Sequence, residues 1–194
     1  MNHPVRSSAA LRRAADTSDE IERSVWLAMA ADYAIRRTAV LVGGAAVNLY
    51  TGSYRPTDVD LCAYLDPEDR ESMKEVGFVQ LQGDHFAYTF GDGERWLLEF
   101  PDSQVDGDVQ ILELDLGNQM TVITLESLIV DRILQATDGT GTTFDEALRL
   151  WVAVLDRADW AKVESDLTER DTLEPGLGLT TYQRLESAAE RIEL

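Results

Sequence analysis

Apolar residues recur along this chain with two periods, and the change from one to the other organises it. Ile21, Val25, Ala28 and Met29 follow Thr17-Ser18-Asp19-Glu20 at helical spacing, so a capping-box sequence opens a helix that runs to about Arg37. Residues 3–15, before it, form a short helix or fray. Residues 38–42 are short, apolar and rich in β-branched side chains, which predicts a buried strand. Residues 45–50 have helical propensity and are closed by Thr51-Gly52. Asp58-Val59-Asp60-Leu61 then alternates with period two, as a strand does. Asp66-Pro67 starts a helix, with Pro67 at its first position and Gly77 as its stop. Residues 78–82, 85–90 and 95–100 read as successive strands, the last two joined by a hairpin at Gly91-Asp92-Gly93. Residues 109–116 are one further strand candidate.

After Thr121 the period is helical throughout. Thr124 caps a helix through Ala136, Thr143-Phe144-Asp145-Glu146 opens another to about Arg157, and Asp159 caps a third over residues 160–168. Thr180-Thr181-Tyr182-Gln183 caps the last. Sheet elements first and helices second predict an α+β class: a mixed α/β sheet flanked by helices, with a helical C-terminal layer. Residues 1–120 form the core in this reading, and residues 121–194 a helical region packed on it. Pro175-Gly176-Leu177-Gly178 is the best linker, isolating only the final helix.

Composition narrows the chemistry. A chain of 194 residues is long enough to bury a core as one domain, or one domain with a small extension. The single cysteine, Cys62, forms no internal disulfide and continues the Asp58/Asp60 face of its strand, which makes it a packing residue. With His3 and His85 the only histidines, zinc clusters and Ser-His-Asp hydrolysis have little material. No apolar run approaches the roughly 20 residues of a membrane span, and residues 1–6 hold no signal-peptide core, so no membrane role and a cytoplasmic location are expected. The net charge of −19 repels free nucleic acid and argues against duplex DNA as a partner. Two lysines against fifteen arginines on an acidic chain suit the high-salt cytoplasm of a halophile, although a GC-rich genome also favours arginine.

Two passages carry candidate chemistry. Gly43-Gly44, between a strand and a helix, presents bare amides at a helix N-terminus, where the unpaired N–H groups and the dipole favour a phosphate. A turn that needs glycine only for its backbone angles is the alternative reading of the pair taken alone. Asp58 and Asp60, two apart on a strand, leave one face together while Val59 and Leu61 enter the core. Such carboxylates can share divalent cations, and a two-metal phosphoryl-transfer site needs metals about 3.5–4 Å apart. Glu113-Leu114-Asp115-Leu116 alternates in the same way with no glycine pair before it, so alternation alone says little.

Val42-Gly43-Gly44 followed by Asp58-Val59-Asp60-Leu61 resembles the signature of the nucleotidyltransferase superfamily, whose fold is polymerase-β-like. Leu49-Tyr50-Thr51-Gly52 and Arg55-Pro56-Thr57 look like its abortive-infection toxin branch and uncharacterised relatives, with Arg55 one residue tighter than the commonest form. The resemblance covers about residues 41–61, with a looser echo over residues 127–136. It implies transfer of a nucleoside monophosphate from a nucleoside triphosphate to an acceptor hydroxyl, with Mg2+ (or Mn2+) as cofactor. In toxin-like relatives the acceptor is RNA or protein; a small molecule stays open, as does an antitoxin partner. A catalytically silent nucleotide sensor or protein-binding module on the same fold is the alternative.

The resemblance also implies a third acid from a neighbouring strand. Glu99, which interrupts the apolar Trp96-Leu97-Leu98-Glu99-Phe100, is the candidate, with Asp108, Glu113 and Asp115 as rivals. Arg55 could reach phosphate oxygens from between the helix and the metal strand. Asp131-Arg132 resembles an Asp-Lys or Glu-Lys pair of the relatives, with Arg132 a candidate for the triphosphate. Trp96, Trp151, Trp160 and Tyr182 lie in apolar periodic segments and are core residues in this reading.

Overall fold

The structure, a computed structural model, describes residues 3–52, 56, 58–114, 117–138, 141–173, 176 and 178–192. The chain divides into two compact units, Met1–Ile123 and Thr124–Leu194.

The first unit is a seven-stranded mixed sheet with four helices among its described residues. Helix α1 (His3–Asp16) lies against α2 (Glu20–Ala34). Asp19, rather than Thr17, is the N-cap of α2: its side chain accepts from the Glu22 amide, and Thr17 Oγ1 accepts from the Asp19 amide. The helix stops at Ala34, short of the expected Arg37, because Ile35 is extended and the Arg36 amide donates to Asp69 at 3.1 Å. Strand β1 (Val40–Val42) runs directly into α3 (Gly43–Thr51), which Gly52 ends in the left-handed conformation. Strand β2 (Asp58–Cys62), α4 (Pro67–Glu75), β3 (Val79–Gln80), β4 (His85–Thr89), β5 (Arg95–Glu99) and β6 (Val109–Glu113) follow as the period predicts, with shortened ends.

Strand β7 (Gln119–Ile123) corrects the sequence reading, which began the helical region at Thr121. It pairs parallel with β1 and antiparallel with β6, and these ladder bonds hold as strand a segment too short to declare itself. The sheet order is β3-β4-β5-β2-β1-β7-β6, so the two strands of the proposed carboxylates, β2 and β5, are parallel neighbours near its middle. Leu41, Val59, Leu61, Phe86 and Leu98 point to one face of this sheet and are fully buried. Helix α2 packs against β2. The opposite face, carrying Asp58, Asp60, Leu97 and Glu99, is half-buried.

The second unit holds α5 (Leu125–Gln135), α6 (Gly141–Ala153), α7 (Trp160–Leu173) and α8 (Gly178–Ala189). Thr124 caps α5 and Asp159 accepts from the Lys162 amide in α7, as read from sequence. Thr180 and Thr181 fall inside α8 instead of capping it, and α6 starts before Thr143. The core here is aromatic: Trp151 stacks on Trp160 at 4.0 Å and meets Tyr182 edge-on at 4.9 Å. No helix among the described residues is long and apolar enough to cross a membrane.

Candidate active site

The turn between β1 and α3 has an apolar residue at the N-cap position. Val42 is extended at the N-cap position and offers no side-chain acceptor to the first turn of the helix. Gly43 follows with φ +63°, a conformation that costs an L side chain energy, and Gly44 is buried. A Cβ built on Gly43 would overlap Oδ2 of Asp60 and stand 2.7 Å from its Cγ. The missing side chain is therefore replaced by the Asp60 carboxylate, and glycine is demanded here twice, by the angle and by the space.

Sheet pairing explains how an acid arrives there. Strand β2 runs antiparallel to β1 with Val42 opposite Asp60, and parallel to β5 with Asp60 opposite Glu99 and Asp58 opposite Leu97. Successive residues alternate faces, so Asp58, Asp60 and Glu99 emerge together on the side away from Val59, Leu61 and Leu98. One oxygen from each of the three lies within 4.8 Å of the others, and all three residues are half-buried. Like charges this close favour a cation between them. Three hard oxygen donors fit a hard divalent cation better than a thiophilic metal. The rival acids stand elsewhere: Glu113 is on edge strand β6 and Asp108 just before it, with β7 and β1 between them and β2. Asp115 lies outside the described residues.

Sequence reasoning missed His85. It opens β4 directly opposite Glu99, and its Nδ1 is 3.2 Å from Glu99 Oε1. Counting outward from the Gly91-Asp92-Gly93 turn, with Thr89 opposite Arg95, would have found the pair. Cys62 is buried, with no disulfide, two residues beyond Asp60. Arg55 lies outside the described residues. Arg132 is half-exposed on α5 in the second unit, where its terminal nitrogen donates to Gln135 Oε1 at 2.7 Å and its Nε is buried without a partner. Trp96 is buried in the sheet core, as expected.

The fold these elements make is that of nucleotidyltransferase-like proteins. Among solved structures, the antigenic nucleotidyltransferase-like protein from Paracoccidioides brasiliensis superposes with a TM-score of 0.57 at 17% identity, over 86% of this chain and 94% of that one. The antibiotic-resistance factor ANT(2'')-Ia, known from a solution structure, matches at a TM-score of 0.45 and 15% identity, over 100% of this chain and 98% of its own. No protein-family model matches the sequence, and no curated protein matches it.

Proposed function

We propose that this chain is a metal-dependent nucleotidyltransferase, moving a nucleoside monophosphate from a nucleoside triphosphate to an acceptor hydroxyl with release of pyrophosphate. The observation that carries the reading is the contact between Asp60 and Gly43, which brings the N-terminus of α3 together with a group of three carboxylates. The amides of Gly43 and Gly44 bind the phosphates, aided by the dipole of α3. Asp58, Asp60 and Glu99 would hold Mg2+ or Mn2+. A bound cation supplies neutralisation of charge at the phosphoryl oxygens and a lowered pKa for a hydroxyl beside it. The chain's own part is positioning: Gly43 leaves room for the Asp60 carboxylate beside the first turn of α3, and the strand pairing fixes the three acids there.

The acceptor is read from charge. At −19 the protein opposes a long free RNA at low salt, which favours a hydroxyl on a small molecule or on a protein. The test is transfer of label from each α-labelled nucleoside triphosphate with Mg2+ or Mn2+, comparing the native chain with Asp58→Ala/Asp60→Ala at several salt concentrations. Transfer by the native chain alone supports the proposal. Nucleotide binding without pyrophosphate release would replace it with a silent sensor.

A further inference from the structure

We infer that His85 is a positioning residue for Glu99, fixing from β4, on the side of β5 away from β2, the carboxylate that stands with the two aspartates. The inference rests on the metal-site reading above and adds to it a residue outside the three acids.

The sheet makes the contact specific. The Phe100 amide donates to the Asp84 carbonyl at 3.1 Å, which leaves His85 and Glu99 as the non-hydrogen-bonded pair between flanking ladder bonds. Side chains stand closest at such positions. The result is Nδ1 of His85 at 3.2 Å from Oε1 of Glu99. His85 itself is not among the residues whose donor atoms gather within 4.8 Å, and its ion pair among the described residues is with Glu99. The strand start is also anchored. Arg70 of α4 donates twice to Asp84, from Nε at 2.7 Å and from a terminal nitrogen at 3.0 Å, fixing the residue before His85.

A glutamate has one more rotatable bond than an aspartate and loses more freedom on binding a cation. An N–H donor on one of its oxygens removes part of that freedom beforehand. A ring that carries a proton on Nδ1 can donate to a carboxylate oxygen at this distance. Partners of this kind change metal affinity by about 10–100-fold in metalloproteins.

The experiment is Mn2+ titration without nucleotide, followed by the paramagnetic resonance of the free ion, on the native chain and on His85→Ala, His85→Asn and His85→Gln. Asparagine places an N–H near the Nδ1 position and glutamine places one near Nε2. The expected result is about tenfold weaker binding by His85→Ala, recovery to within about threefold by His85→Asn, and none by His85→Gln. Native affinity in His85→Ala, with binding lost in Asp60→Asn, overturns the role of His85 and leaves the metal site standing. Equal losses in all three His85 variants also overturn it, in favour of simple packing. A native chain that binds no Mn2+ overturns both readings.

Discussion

The carboxylate of Asp60 rests where the side chain of residue 43 would be, against the bare Cα of Gly43. The two residues come from different elements, α3 and β2, and β1 aligns them by placing Val42 opposite Asp60. Gly43→Ala therefore meets both a positive φ and a collision with the acid. It is expected to cost about 1–3 kcal/mol of stability and to abolish the thermal shift given by a nucleoside triphosphate with Mg2+. Gly91→Ala, at an exposed glycine with open space around its would-be Cβ, is the control and should stay within about 0.5 kcal/mol of the native chain. Equal behaviour of the two variants would remove the special status of residue 43.

Metal binding should be visible as stability. A cation at a hundredfold excess over its Kd adds about 2.7 kcal/mol, which for a chain of this length raises Tm by about 5–10 °C. Asp60→Asn keeps the shape of the site and removes one of its three charges. In that variant Mg2+ and Mn2+ should no longer raise Tm, and nucleotidyl transfer should fall on the order of a thousandfold. Calorimetry with and without metal checks the first, and the labelled transfer assay the second.

Much of the candidate site's geometry was legible because its residues obey local rules. Asp58 and Asp60 share a face by the period of a strand, and Gly43-Gly44 meets a helix start by order in the chain. Glu99 was identifiable as an acid inside an apolar strand, but its place beside Asp60 was not, since α4, β3 and β4 intervene between their strands. Strand β7 escaped for the same reason. Gln119–Ile123 becomes a strand by pairing with β1, far away in sequence, and its apolar end abuts the Thr124 cap of α5. The end of α2 is set by another distant contact, Asp69 taking the Arg36 amide. Nonlocal pairing decides each of these, and period carries no record of it.

Acid should weaken the junction of α2 and α4 through Asp66. Its carboxylate accepts from the Glu68 and Asp69 amides at 2.9 and 3.0 Å and pairs with Arg36. The backbone hydrogen bond at Asp69, and after it the Arg36 guanidinium, hold its pKa below the ordinary 3.8 against the opposing effect of desolvation. A depressed pKa means stability that is complete above about pH 4 and lost as pH falls through the folded value. Asp66→Asn retains an acceptor without the charge. The gap in urea midpoint between native and variant chains should be widest above pH 4 and close below it. A gap unchanged down to the acid limit of folding would show that charge at Asp66 contributes nothing.

Salt should stabilise this protein, and the reason can be tested at one residue. Residues 96–131 contain eight acids and not one lysine, arginine or histidine, so repulsion within the chain is locally uncompensated. Screening shortens from about 10 Å at 0.1 M to about 3 Å at 1 M ionic strength, and Tm should rise by several degrees over that range. Ile111 lies within this acidic stretch on edge strand β6, 63% exposed, with Glu113 two residues along the same face. Ile111→Lys gives up little burial and introduces a cation among acids. Its expected effect is a gain of about 0.2–1 kcal/mol at 0.1 M KCl that disappears at 1 M. Because the apolar area removed is the same at both concentrations, a gain that survives high salt would have to come from something other than charge, and a loss at low salt would show Ile111 to be worth more as an apolar contact than its exposure allows.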